Sequence, residues 1–109
     1  MICFDYINGY IRQTIKKNGG ILRELEAFAR ENQIPIIHPE VASLLRILGL
    51  TLKPYRILEI GTAIGYSSIL LSSVLQPKGK IDTIDRYELM IERARNNIKK
   101  AGLTDVIDR

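Results

Sequence analysis

An acid set directly before a Gly-x-x-x-Gly turn is the feature of this chain best suited to chemistry. Glu59 precedes Gly61 and Gly65, the hydroxyl of Ser67 follows, and a second acid, Asp85, stands further along. Glycine at such a turn lets the backbone approach a ligand with no Cβ in the way. The free amides at the start of a following helix would face that ligand. An acid at the tip of a neighbouring strand can accept two hydrogen bonds from the vicinal hydroxyls of a ribose. Together these residue types describe a small-molecule site, with Asp85 as the candidate for holding a ribose.

The glycine spacing narrows the ligand. A dinucleotide fingerprint wants G-x-G-x-x-G, whereas Gly61 and Gly65 are separated by Thr62, Ala63 and Ile64, with no glycine at position 63. That spacing weighs against NAD. A phosphate-gripping loop needs Gly-Lys followed by Ser or Thr, and Gly65 is followed by Tyr66 and Ser67.

The elements that must position these residues follow from periodicity. Arg56 to Ile60 reads as a short buried strand and Tyr66 to Leu75 as an apolar helix. Lys80 to Asp85 reads as the next strand, after a turn at Pro77, Lys78 and Gly79. Strand, helix, strand is a βαβ unit whose two strands lie parallel, with their carboxyl ends sharing one crevice. Upstream, helices are expected over Asp5–Lys17, broken by Asn18, Gly19 and Gly20, and over Ile21–Asn32. A third is expected over Glu40–Leu48, closed by Gly49. Tyr87 to Ala101, capped by Gly102, is the last helix. Residues 1–50 thus read as a helical segment, which the resemblance given below implies covers the site, and residues 51–109 as the first βαβ portion of a ligand-binding domain.

The stretch R-I-L-E-I-G-T-A-I-G-Y-S-S from Arg56, with I-D-T-I-D-R from Ile81 and A-R-N-N-I-K-K-A-G from Ala94, resembles the class I S-adenosylmethionine-dependent methyltransferases. More narrowly it is similar to the metal-dependent O-methyltransferases of the catechol and caffeoyl-CoA type. P-I-I-H-P-E, Pro35 to Glu40, fits the bacterial branch, some of whose members methylate 5-hydroxyuridine in transfer RNA. The resemblance implies an α/β fold, the N-terminal part of a Rossmann-like doubly wound sheet, with S-adenosyl-L-methionine as cofactor. It also implies a divalent metal such as magnesium in the complete family member, a hydroxylated small molecule or transfer RNA as substrate, and a homodimer.

By the same resemblance, Glu59, Gly61 and the turn Thr62, Ala63, Gly65 and Tyr66 line the methionine end of the cofactor, and Ser67 bonds its carboxylate. Asp85 holds the ribose hydroxyls with Arg86 beside the adenosine, and the backbone at Ile37 closes over the amino-acid end. Each has a plainer alternative: Glu59 as an exposed acid at a strand end, Asp85 as a helix cap, Ser67 and Ser68 as hydroxyls satisfying backbone donors, and Tyr66 as a core aromatic.

The chain of 109 residues is about half of what a doubly wound sheet covered on both faces requires. Complete relatives continue through further strands that carry the metal-binding acids, so the chain is expected to be truncated, inactive alone, and bare along one sheet edge and face. The formal charge of +4 gathers at Arg12, Lys16 and Lys17 and at Arg93, Arg95, Lys99 and Lys100, which suits either solvated helix faces or phosphate. Cys3 is the single cysteine, which excludes an internal disulfide, and His38 is the single histidine, which excludes a typical zinc site built from histidines. No apolar run reaches membrane-spanning length, so a soluble, cytoplasmic protein is expected. The competing functions are an NAD-type oxidoreductase domain and a non-catalytic module for dimerisation or RNA contact.

Overall fold

The computed structural model describes residues 5–15 and 18–108. Cys3 and the cluster members Lys16 and Lys17 lie outside the described residues. Three helices precede the sheet: α1 (Asp5–Thr14), α2 (Gly20–Glu31) and α3 (Pro39–Leu52). The rest alternates: β1 (Arg56–Ile60), α4 (Tyr66–Ser72), β2 (Lys80–Ile84), α5 (Glu88–Lys100) and β3 (Ile107–Asp108).

The three strands are parallel in the order β1, β2, β3, with Ile57 opposite Ile81 and Ile81 opposite Ile107. The parallel register places Ile57, Ile81 and Ile107 side by side on one face, which α4 covers. Leu70 and Ile69 of α4, Leu25 and Ala29 of α2, and Ile98 of α5 complete that core. The short helix α4 lies at its centre, touching α2, α3, β2 and β3.

β1 is less buried than its composition suggests and shows the bare edge and face expected of the chain. It is an edge strand, and its outward residues Leu58 and Ile60 are 66% and 83% exposed, as is Ile84 of β2 at 56%. The apolar composition that suggests burial is real, but among the described residues no layer lies on that face.

Helix α3 also differs from expectation. Gly49 does not close it; the helix runs three residues further, to Leu52, and Lys53 takes the left-handed conformation at its end, donating its N–H to the Gly49 carbonyl. Gly49 is there for space. A Cβ on it would stand 2.5 Å from Cγ2 of the buried Val74, so the missing side chain is what lets α3 lie against the end of α4. At the other end of α3, Arg12 of α1 forks onto Glu40, donating from Nε at 3.0 Å and from Nη2 at 3.1 Å, and also meets His38 Nδ1 at 3.3 Å. The Arg12 guanidinium holds the Glu40 carboxyl down at about 2.

Helix α4 stops at Ser72, earlier than the apolar run to Leu75 suggests. Ser72 and Ser73 turn their hydroxyls back onto the Ile69 and Leu70 carbonyls, competing with helix continuation. No helix among the described residues is long and apolar enough to cross a membrane.

Candidate cofactor site

The turn between β1 and α4 is built from three left-handed residues. Gly61, Ala63 and Gly65 have φ of 95°, 47° and 88°. Gly65 is favoured by its φ, which L side chains rarely adopt, and not by lack of space: a Cβ there would meet Ala94 of α5 at an ordinary 3.6 Å. Ala63 carries a Cβ in a conformation that costs an ordinary residue about 1 kcal/mol or more. Its strain is offset by Asp85, whose Oδ2 accepts the Ala63 amide at 2.9 Å.

Four further bonds fix the turn. Gly61 donates its N–H to the Ile84 carbonyl at 2.7 Å, and Gly65 donates to the Thr62 carbonyl at 2.9 Å. Asn97 of α5 donates from Nδ2 to the Ile64 carbonyl at 2.8 Å, and the buried hydroxyls of Thr62 and Thr83 meet at 2.7 Å. The loop is thereby tied to β2, to the residue after β2 and to α5. It stands at the carboxyl ends of β1 and β2, where open α/β sheets bind ligands.

Over this turn lies an open cleft of about 280 Å³, walled on one side by Pro35, Ile36 and Ile37 and on the other by Gly61, Thr62, Ala63, Tyr66 and Ser67. That volume is just under the roughly 300 Å³ where small-molecule sites begin, so the cleft is sized for one end of an elongated ligand. Six of the ten residues expected from sequence therefore meet on its walls: Ile37, Gly61, Thr62, Ala63, Tyr66 and Ser67.

The other four lie around it. Gly65 shapes the turn from behind. Asp85 accepts the Ala63 and Tyr87 amides, one on each carboxylate oxygen, and the Ala63 bond holds its pKa below the ordinary value. Arg86 is exposed and turned onto its neighbour, with its guanidinium 5.2 Å from the Tyr87 ring centre and donating to the Tyr87 hydroxyl at 3.1 Å. Glu59 is turned beneath the turn. Its Oε1 accepts from Thr83 at 2.8 Å and from Ser68 in a short bond, and burial pushes its carboxyl above the usual value against the opposing pull of those two bonds.

The adjacent serines thus divide: Ser67 faces the cleft, while Ser68 is buried and bonded to Glu59. Thr83, Asn97, Pro35 and Ile36 were not among the residues expected from sequence. Thr83 carries a readable signal, a polar side chain two positions from Ile81 and therefore on the same face of β2. Asn97 carried none, since a polar residue on a charged helix is ordinary.

Among known proteins, a family model described as protein-L-isoaspartate(D-aspartate) O-methyltransferase matches residues 27–109. The chain belongs to this family of class I S-adenosylmethionine-dependent O-methyltransferases. A protein-L-isoaspartate O-methyltransferase of Rhizobium meliloti is 39% identical to this methyltransferase chain over 61 residues, which are 55% of the chain and 28% of that relative. The crystal structure of an O-methyltransferase from Bacillus cereus in complex with SAH superposes with a TM-score of 0.81 at 28% identity. It covers 94% of the chain and 48% of its own length. A proposed caffeoyl-CoA O-methyltransferase from Staphylococcus aureus superposes at 0.85 with 30% identity, over 95% of the chain and 49% of its own length. The methyltransferase chain thus spans about half the length of these solved relatives.

The partial Rossmann-like α/β fold with parallel strands agrees with the sequence expectation. Membership in this family displaces the NAD-type oxidoreductase alternative. Among the described residues no three His, Cys, Asp or Glu side chains gather to hold a metal ion. The metal implied by the resemblance therefore has no donor set among them.

Proposed function

We propose that the cleft over the Gly61–Ser67 turn binds the amino-acid end of S-adenosyl-L-methionine, and that the chain supplies the cofactor-binding part of an O-methyltransferase acting on a hydroxylated small molecule. The observation that carries this is the turn itself: three left-handed residues, cross-tied to β2 and α5, under a wall formed by Pro35–Ile37. Such a turn presents backbone at close range, and Ser67 offers a hydroxyl to the cofactor's carboxylate. Ile37 closes over the same end.

Asp85 takes the ribose. It stands just past β2 at the carboxyl ends of the strands, fixed there by the Ala63 and Tyr87 amides. Its lowered pKa keeps it in the accepting, ionised form. Arg86 lies beside the adenosine, and Glu59 acts from below, holding the base of the turn through Ser68 and Thr83.

When a substrate oxygen attacks the sulfonium methyl in line, the C–S bond breaks, S-adenosylhomocysteine leaves and the hydroxyl proton passes to a base. The chain's own share of this is orientation, which removes much of the entropic part of the barrier. The family match over residues 27–109 favours a second acceptor, the side-chain carboxyl of an isoaspartyl residue.

Equilibrium dialysis with labelled S-adenosylmethionine tests the cofactor. S-adenosylhomocysteine should compete, NADH should not, and Ser67→Ala should weaken binding about tenfold, the worth of one charge-assisted bond. Retention of the label in the face of excess S-adenosylhomocysteine, or its displacement by NADH, would refute the assignment.

A further inference from the structure

We infer that Tyr66 and Glu26 form a latch that positions the Pro35–Ile37 wall of the cleft. For the identity of the ligand, this inference rests on the cofactor proposal above. Tyr66 is the first residue of α4 and lines the cleft, and its hydroxyl donates to Oε2 of Glu26 on α2 at 2.5 Å. Asn18 donates from Nδ2 to the same Glu26 oxygen at 2.9 Å and lies 3.4 Å from the Tyr66 hydroxyl. Its own Oδ1 accepts from Arg46 of α3 at 3.2 Å.

Proton counting fixes the direction of this chain of bonds. Glu26 and Asn18 Oδ1 accept only, Arg46 donates only, and the single phenolic proton is spent on Glu26. Burial, reinforced by the bond to Glu26, pushes the Tyr66 phenol above its ordinary pKa, so it remains a donor throughout the working pH range. Every member thus has one fitting role, and the three helices α2, α3 and α4 are pinned at one point.

The consequence for the cleft is geometric. The wall Pro35–Ile37 belongs to the connection between α2 and α3, so its two ends move only as those helices move. The opposite wall carries Tyr66 itself. The latch therefore sets the distance between the walls, and Tyr66 acts as a positioning residue through its hydroxyl in addition to packing through its ring. The backbone reports on it at Ile34, just before the wall, whose N–H donates to the Ala29 carbonyl of α2 at 2.8 Å.

Amide hydrogen exchange followed by NMR on the full 109-residue chain tests the latch, with Tyr66→Phe, Glu26→Leu and Glu26→Gln compared to wild type. Tyr66→Phe and Glu26→Leu should speed exchange at Ile34 about tenfold or more while Ile81, bonded to the Val106 carbonyl in the sheet, stays at the wild-type rate. Glu26→Gln retains an oxygen acceptor and should restore Ile34 to near wild type. Binding of S-adenosylhomocysteine should weaken about tenfold in the two breaking variants. Unchanged exchange at Ile34 in Tyr66→Phe would overturn the latch, and so would parallel acceleration at Ile34 and Ile81, which reports only a less stable protein. Should Ile34 respond as expected in a chain that does not bind S-adenosylhomocysteine, the latch stands and the cofactor proposal fails.

Discussion

Replacing Thr83 by valine should cost far more stability than replacing Thr62, although the two hydroxyls bond to each other at 2.7 Å and both residues are buried. Each threonine has one hydroxyl proton. Thr83 spends its proton on Glu59 Oε1 at 2.8 Å, so Thr62 must be the donor in the Thr62–Thr83 bond. Thr62→Val therefore deletes one donor and leaves Thr83 still donating, a loss of about 0.5–1.5 kcal/mol. Thr83→Val does two worse things. It strands the Thr62 proton in a buried site, at about 1–3 kcal/mol, and removes one of the two bonds to the Glu59 carboxylate, a further 1.5 kcal/mol or so.

The expected cost is roughly 2.5–4.5 kcal/mol for Thr83→Val, and less for the double variant than for Thr83→Val alone, because the double variant has no stranded proton. Urea unfolding of the three variants and wild type at pH 7 measures this, with equal slopes required before midpoints are compared. A Thr62→Val variant as damaging as Thr83→Val, or a double variant whose cost is the sum of the two, would refute the proton assignment.

Three further outcomes follow from the same geometry. Burial raises the folded-state pKa of Glu59, so folding takes up a proton and stability falls as pH rises from the unfolded value near 4.5 through the higher folded one. Glu59→Gln should therefore compare more favourably with wild type at pH 7.5 than at pH 4 in thermal unfolding, and an equal difference at both would contradict this. Glu40 has the opposite sign, its folded pKa being lowered to about 2, so the stability it contributes is complete above 4.5 and lost as pH falls through about 2. The Tm deficit of Arg12→Met should be constant above pH 5 and shrink steadily below 4. Gly49→Ala gains helix propensity of about 1 kcal/mol but drives a Cβ to 2.5 Å from Val74, so a net loss of about 1 kcal/mol or more is expected, reduced when Val74→Ala is added.

The parts of the fold legible in the sequence were those governed by local rules. The Gly61–Gly65 turn and the stop at Gly102 follow from a residue type acting on its own backbone, and the parallel pairing of Arg56–Ile60 with Lys80–Ile84 from the order strand, helix, strand. What sequence does not carry is which way a side chain is used once neighbours arrive. Glu59 looks like a ligand group because it precedes a glycine turn, yet Oε1 is taken by Ser68, nine positions away, and by Thr83, 24 positions away.

Ala63 appears to break a glycine fingerprint, but its left-handed backbone is held by an amide bond to Asp85, 22 positions on. Gly49 reads as a helix stop because that is the local role of glycine, whereas its use is contact with Val74 on another element. Tyr66 was open between cleft and core, and the structure gives it a part in both.

A two-dimensional amide NMR titration of the labelled chain with S-adenosylhomocysteine, with NADH as the control, tests the central claim most directly. Shifts should concentrate at Ile37, Gly61, Ala63, Ser67 and Asp85 and be absent with NADH. A well-dispersed spectrum in which S-adenosylhomocysteine leaves those residues unmoved, or moves a different face of the molecule, would contradict the assignment of this turn as the cofactor site.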